Sequence, residues 1–139
     1  MKKIIILGLL LGITQVYAQE VELKDDKVII DGKEILKYEK VNNGQYSFFN
    51  NADDEILMYK YQNNQTQELI EDDYITFNFL TLKKKVQTSD FSLIYASSSK
   101  KSMQKLIKLL LKEKVLDLTG TMNDEKLDIF IEKYNQVIK

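Results

Sequence analysis

The sequence predicts an α+β fold: an antiparallel β-meander of about six to seven strands, followed by two C-terminal helices packed on it. Three observations predict it. Apolar residues alternate with polar ones through the first two thirds of the chain, and successive side chains on a strand point to opposite faces. Turn dipeptides break that alternation at short intervals. After Ser97-Ser98-Ser99 the apolar spacing changes from two to three and four, the period of a helix. A small barrel closed by a helix is the alternative architecture.

Val21 and Leu23 alternate and lead into a turn at Asp25-Asp26. Val28-Ile29-Ile30 is a compact β-branched run, which suits a strand. Asp31-Gly32 then signals a two-residue hairpin, because both turn positions favour positive φ. Glu34 to Val41 alternates again, and Asn43-Gly44 is a second hairpin signal of the same kind. Tyr46, Phe48 and Phe49 form the next strand, closed by Asn50-Asn51-Ala52-Asp53-Asp54. Ile56 to Tyr61 places Leu57, Tyr59 and Tyr61 on one face. Gln62 to Asp73 is polar and reads as a loop, with one helical turn around Leu69 and Ile70. Tyr74 to Leu82 is the clearest strand, with Ile75, Phe77 and Phe79 on one side. Lys83-Lys84-Lys85 either breaks the pattern or charges an edge strand. Phe91, Leu93 and Tyr95 alternate once more.

One of the three serines is expected to cap the first helix, its hydroxyl accepting a bond from an otherwise unpaired N–H. Met103, Leu106, Ile107, Leu110 and Leu111 make its apolar stripe, and Lys101, Lys105, Lys108 and Lys112 occupy the far side. Leu118-Thr119-Gly120 redirects the chain. A last helix starts near Thr121 or Asn123, with Asp124 and Glu125 where negative charge suits the helix dipole. Leu127, Phe130, Ile131, Tyr134 and Ile138 form its stripe.

Residues 1–18 read as a cleavable signal peptide and 19–139 as one globular domain. Lys2 and Lys3 precede an apolar run from Ile4 to Ile13, and Val16-Tyr17-Ala18 supplies the small residues a signal peptidase requires. Ten apolar residues span about 15 Å as a helix, half of a bilayer core, so the run is too short for an anchor. Cleavage before Gln19 moves the net charge from −1 to −3 by removing two lysines. The destination is periplasmic or extracellular, and without cysteine the chain has no lipid anchor of the lipoprotein kind.

Composition excludes several chemistries. With no Cys there is neither a disulfide nor a thiolate. With no His, the usual neutral-pH base and the commonest zinc ligand are missing, and Ser-His-Asp and Cys-His machinery with them. All 20 basic residues are Lys, so bidentate phosphate or guanine recognition is not expected, nor is nucleic-acid binding. No cofactor or metal is expected. Residues 19–80 hold 14 acids against 6 lysines, and 81–139 hold 7 acids against 12 lysines. The two halves either neutralise each other within one fold or leave a dipolar surface whose basic end meets an anionic partner.

The candidate sites are few. Asn50 to Glu55 places oxygen ligands at alternate positions. It lacks the glycine and the final glutamate of an EF-hand loop, so a solvated turn is the simpler reading. Glu71-Asp72-Asp73, with Glu68, would be the carboxylates of a glycan hydrolase, the alternative to a non-enzymatic role. Tyr38, Tyr46, Tyr59, Tyr61 and Tyr74 either form an exposed aromatic face suited to sugars or peptides, or pack across strands beneath the helices. Lys101, Lys105, Lys108 and Lys112 form a basic face for an anionic glycan or protein of the envelope, or for peripheral membrane contact; solvation is the plain alternative. Asn64-Gln65-Thr66 is a formal glycosylation acceptor.

The layout from Val28 to Tyr134, with its Asp31-Gly32 and Asn43-Gly44 turns and its Asn123–Tyr134 stretch, resembles small exported proteins of unknown function from Gram-negative bacteria. That resemblance implies an exported, non-enzymatic binding or structural domain and transfers no catalytic residue. An inhibitor or immunity protein using the acidic half as a decoy is a further alternative.

Overall fold

A computed structural model describes residues 20–62 and 73–137. The leader, Glu68 to Asp72, the Asn64-Gln65-Thr66 acceptor, the turn expected at Leu69 and Ile70, and Ile138 all lie outside the described residues. Seven strands run in order as one antiparallel sheet: β1 Val21–Lys24, β2 Lys27–Ile30, β3 Lys33–Asn42, β4 Gln45–Phe49, β5 Glu55–Gln62, β6 Tyr74–Phe79 and β7 Lys84–Thr88. Each strand pairs with its sequence neighbours, so the expected meander is the observed topology.

The turns follow from residues that tolerate left-handed backbone. Asp25 and Asp26 have φ of 54° and 65°, and Asp31 and Gly32 have 51° and 82°, the primed geometry whose twist matches a hairpin. The Asn43-Gly44 turn departs from expectation, because neither residue is left-handed. Instead the Asn42 side chain accepts the Gly44 N–H at 2.8 Å, and the register slips between Lys40 and Asn42. Asn50 closes the next turn by accepting from the N–H groups of Ala52 and Asp54. Among the described residues no cluster of three acidic side chains is placed to hold a metal, and this loop is a hairpin turn.

Two bulges adjust the faces. Ile35 and Ile56 are extra residues opposite their neighbours, so Ile35 is buried along with Leu36, and Ile56 along with Leu57. The inner face carries Leu23, Val28, Leu36, Phe48, Leu57, Ile75, Phe77 and Val86, all nearly inaccessible. The outer face is mostly polar, with Glu39, Ser47, Met58, Asn78 and Lys85 forming one row across five strands.

After β7 the expected strand at Phe91–Tyr95 does not form. Asp90 accepts the Ser92 N–H at 3.1 Å and caps a single 3₁₀ turn, Phe91–Leu93. Helix α1, Ser99–Lys112, is capped by the Ser98 hydroxyl on the Lys101 N–H and lies against β1. It ends in a Schellman motif, with the Lys114 N–H on the Leu111 carbonyl at 3.1 Å and the Val115 N–H on that of Leu110 at 2.9 Å. Helix α2, Asp124–Tyr134, is capped by Asn123 and lies against β7. Met103, Leu106, Ile107 and Leu110 of α1, with Leu127 and Phe130 of α2, cover the sheet's inner face.

The sheet is open, not the alternative barrel: β1 and β7 are its edges. Both edges are occupied. Gln104 of α1 donates to the Val21 carbonyl at 2.7 Å. At β7 the Gln87 N–H meets the Asn135 side chain, and the Gln136 N–H meets the Gln87 carbonyl, each at 2.8 Å. Closure into a barrel would need those same backbone groups.

Candidate basic surface

Of the two readings of the tyrosines, the exposed aromatic face does not assemble. Tyr59 is a core residue at 7% exposure, tilted against Phe77 with ring centres 6.2 Å apart. Tyr46 is buried too, its hydroxyl 3.0 Å from that of Ser99 at the start of α1. Burial pushes the Tyr59 hydroxyl up to about 12. Tyr61 continues the Tyr59 face to the sheet's end, where it is partly exposed and stacks on Phe91 at 5.7 Å. Its hydroxyl donates to buried Asp73, and that bond raises it to about 12. Tyr74, half-buried, falls on the opposite face of the sheet, because its neighbour Ile75 is the residue paired with Tyr61. Sheet register therefore separates Tyr74 from Tyr59 and Tyr61, and burial separates Tyr59 from Tyr61. The one acid of the Glu71-Asp72-Asp73 cluster that is described, Asp73, is engaged by a tyrosine.

The lysines do converge. Lys101, Lys105, Lys108 and Lys112 are all exposed on α1. At 100° per residue they fall within about 60° of the helix circumference, along about 16 Å of axis. Among the described residues none of them lies within ion-pair distance of a carboxylate, whereas Lys27, Lys37, Lys84 and Lys133 each do. Helix α1 contains five lysines and no acid.

That arrangement is locally unfavourable. Like charges three and four residues apart destabilise a helix by about 0.2–0.5 kcal/mol per pair, and the stripe holds three such pairs. Lys101 also occupies the third helical position after cap Ser98, where a glutamate would complete a capping box. Positive charge at that end opposes the helix dipole. Both helices place a lysine in the last turn, Lys112 and Lys133, but only α2 places acids, Asp124 and Glu125, in its first.

Lys105 has a structural duty as well. Its ammonium donates to the carbonyls of Ser92 at 3.3 Å and Tyr95 at 3.2 Å, tying the segment after β7 to α1. This places Tyr95 beside the stripe, and Tyr95 is 76% exposed. In the sequence Tyr95 alternates with Phe91 and Leu93 and so reads as part of a strand, which hides it as a surface residue. On the other flank, Glu20, Glu22 and Asp31 line an open depression of about 390 Å³ with Gln104 and Lys108. No helix of the described residues is long and apolar enough to cross a membrane. Compared with protein-family models, curated proteins and solved structures, the chain returns no match.

Proposed function

We propose that this chain is an exported, non-enzymatic domain that docks on an anionic partner of the cell envelope through the lysine stripe of α1. The supporting observation is the stripe itself: four exposed, aligned lysines without carboxylate partners among the described residues, on a helix where they cost stability. A helix under selection for stability alone would place acids in its first turn, as α2 does. The leader supports export, and the absence of His, Cys and Arg supports a role without nucleophilic or metal chemistry.

Lys101→Glu separates binding from stability. It completes the capping box with Ser98, suits the dipole and faces Lys105 one turn on. The variant is expected to be more stable by about 1 kcal/mol while binding less well. Fractionation of the producing cell should find the chain outside the cytoplasm, beginning at Gln19 and held on the envelope at low salt. Lys101→Glu and Lys108→Glu should release it. Recovery in the cytoplasm with the leader intact, or retention indifferent to salt and to both substitutions, would overturn the proposal.

A further inference from the structure

Resting on that reading of α1, we infer that the occupant of the lysine stripe is a linear acidic polysaccharide, lying along the helix with Tyr95 against one of its sugar rings. The cationic charge is a narrow line, about 60° of arc over about 16 Å, which a thread can follow along its length. What selects a chain over a plane is the charge to one side. Beside that line stand Glu20, Glu22 and Asp31, which share a depression with Lys108. A flat anionic bilayer pressed on α1 would approach these acids too, and repulsion would offset part of the lysine attraction.

Insertion would not compensate. Of the apolar side chains of α1, Met103, Leu106, Ile107 and Leu110 are fully buried and Leu109 and Leu111 partly buried against the core, so the helix offers lipid tails little.

Tyr95 distinguishes a sugar polymer from other polyanions. An aromatic ring presents an apolar face and a polar edge, which matches a sugar's C–H face and hydroxyl rim. Tyr95 is the most exposed aromatic residue among those described, and the Lys105 ammonium on its carbonyl holds it at the stripe's N-terminal half. Carboxylates on the polymer would meet Lys101, Lys108 and Lys112, with Lys105 divided between polymer and turn. The lack of arginine disfavours a nucleic-acid chain, whose phosphates are gripped best by a bidentate fork.

The test compares four probes on the purified chain: oligogalacturonate, polyglutamate of matched length and charge, neutral dextran, and vesicles of phosphatidylglycerol and phosphatidylcholine in equal parts. Oligogalacturonate should bind best and dextran not at all. Lys101, Lys108 or Lys112 replaced by alanine should each weaken oligogalacturonate about fivefold, the equivalent of about 1 kcal/mol per charge. Tyr95→Ala should reduce oligogalacturonate binding to the level of polyglutamate and leave the salt dependence unchanged. Equal binding of oligogalacturonate and polyglutamate, a silent Tyr95→Ala, or a preference for vesicles would overturn the polysaccharide while leaving the basic docking surface standing. Indifference of every probe to Lys101→Glu and Lys108→Glu would remove both.

Discussion

Single residues carry strain and charge whose effects are separately measurable. Lys114 has φ of 62°, the left-handed position that ends α1. Glycine takes that conformation without the steric cost of a Cβ. Lys114→Gly should therefore raise stability by about 1 kcal/mol, read as a shifted denaturant midpoint at unchanged slope. The tyrosines set an alkaline limit. Desolvation holds Tyr59, and the bond to Asp73 holds Tyr61, at about 12. In the unfolded chain both ionise near 10. A group raised on folding contributes stability that is complete below its unfolded value and lost as pH rises through its folded value. Stability should fall from about pH 10 to 12, and Tyr59→Phe should flatten that fall. A profile unchanged by Tyr59→Phe would exclude it as a contributor. At the acid end Glu113 behaves oppositely. The Lys133 ammonium at 2.8 Å holds its carboxyl below the usual range, so this contribution disappears as pH drops through that lowered value.

At the scale of elements, the two helices make a controlled comparison. Both are capped by a side-chain oxygen, from Ser98 and Asn123, and both bury an apolar stripe. They differ in charge placement. Helix α2 follows its dipole and ties its acids to the sheet, with Asp124 and Asp128 on Lys84 at 2.6 and 2.7 Å. Helix α1 breaks the same rule at its N-terminal end, where Lys101 stands and no acid does, and follows it only at Lys112 in its last turn. The expected gain in stability from Lys101→Glu belongs to this scale: it depends on cap, dipole and the next turn together. Thermal unfolding of the variant beside the wild type measures it, and a lower midpoint would show that Lys101 serves the fold.

For the whole molecule, Phe130 is the point where layers meet. Its ring lies 6.5 Å from Phe77, 6.3 Å from Phe79 and 4.8 Å from Tyr134, so one side chain joins α2 to β6. Phe130→Ala should cost about 3–5 kcal/mol. Against a total of about 5–15 kcal/mol, that loss should bring unfolding within reach of mild urea. A variant as stable as the wild type would mean that α2 docks through its polar contacts instead. The edges complete the design: α1 and the segment after α2 satisfy backbone groups of β1 and β7 that would otherwise recruit another strand.

Local chemistry alone determined much of this protein. Alternation marked the strands, Asp31-Gly32 and the Asn50–Asp54 run marked turns, and Ser97-Ser98-Ser99 and the Thr121–Asn123 stretch marked helix starts, because each signal acts within a few residues. The same locality misled at Phe91–Tyr95, where three alternating apolar residues resemble a strand but an Asp90 cap selects a 3₁₀ turn. Tertiary structure decided the rest. Burial of Tyr59 and partial exposure of Tyr61 depend on sheet register and on what the helices cover. The open sheet depends on Gln104, Asn135 and Gln136 reaching its edges across the fold. That the α1 lysines meet no carboxylate among the described residues, while Lys84 finds two, is a matter of which elements become neighbours. Contacts between residues far apart in sequence leave no periodicity behind, so only the folded chain displays them.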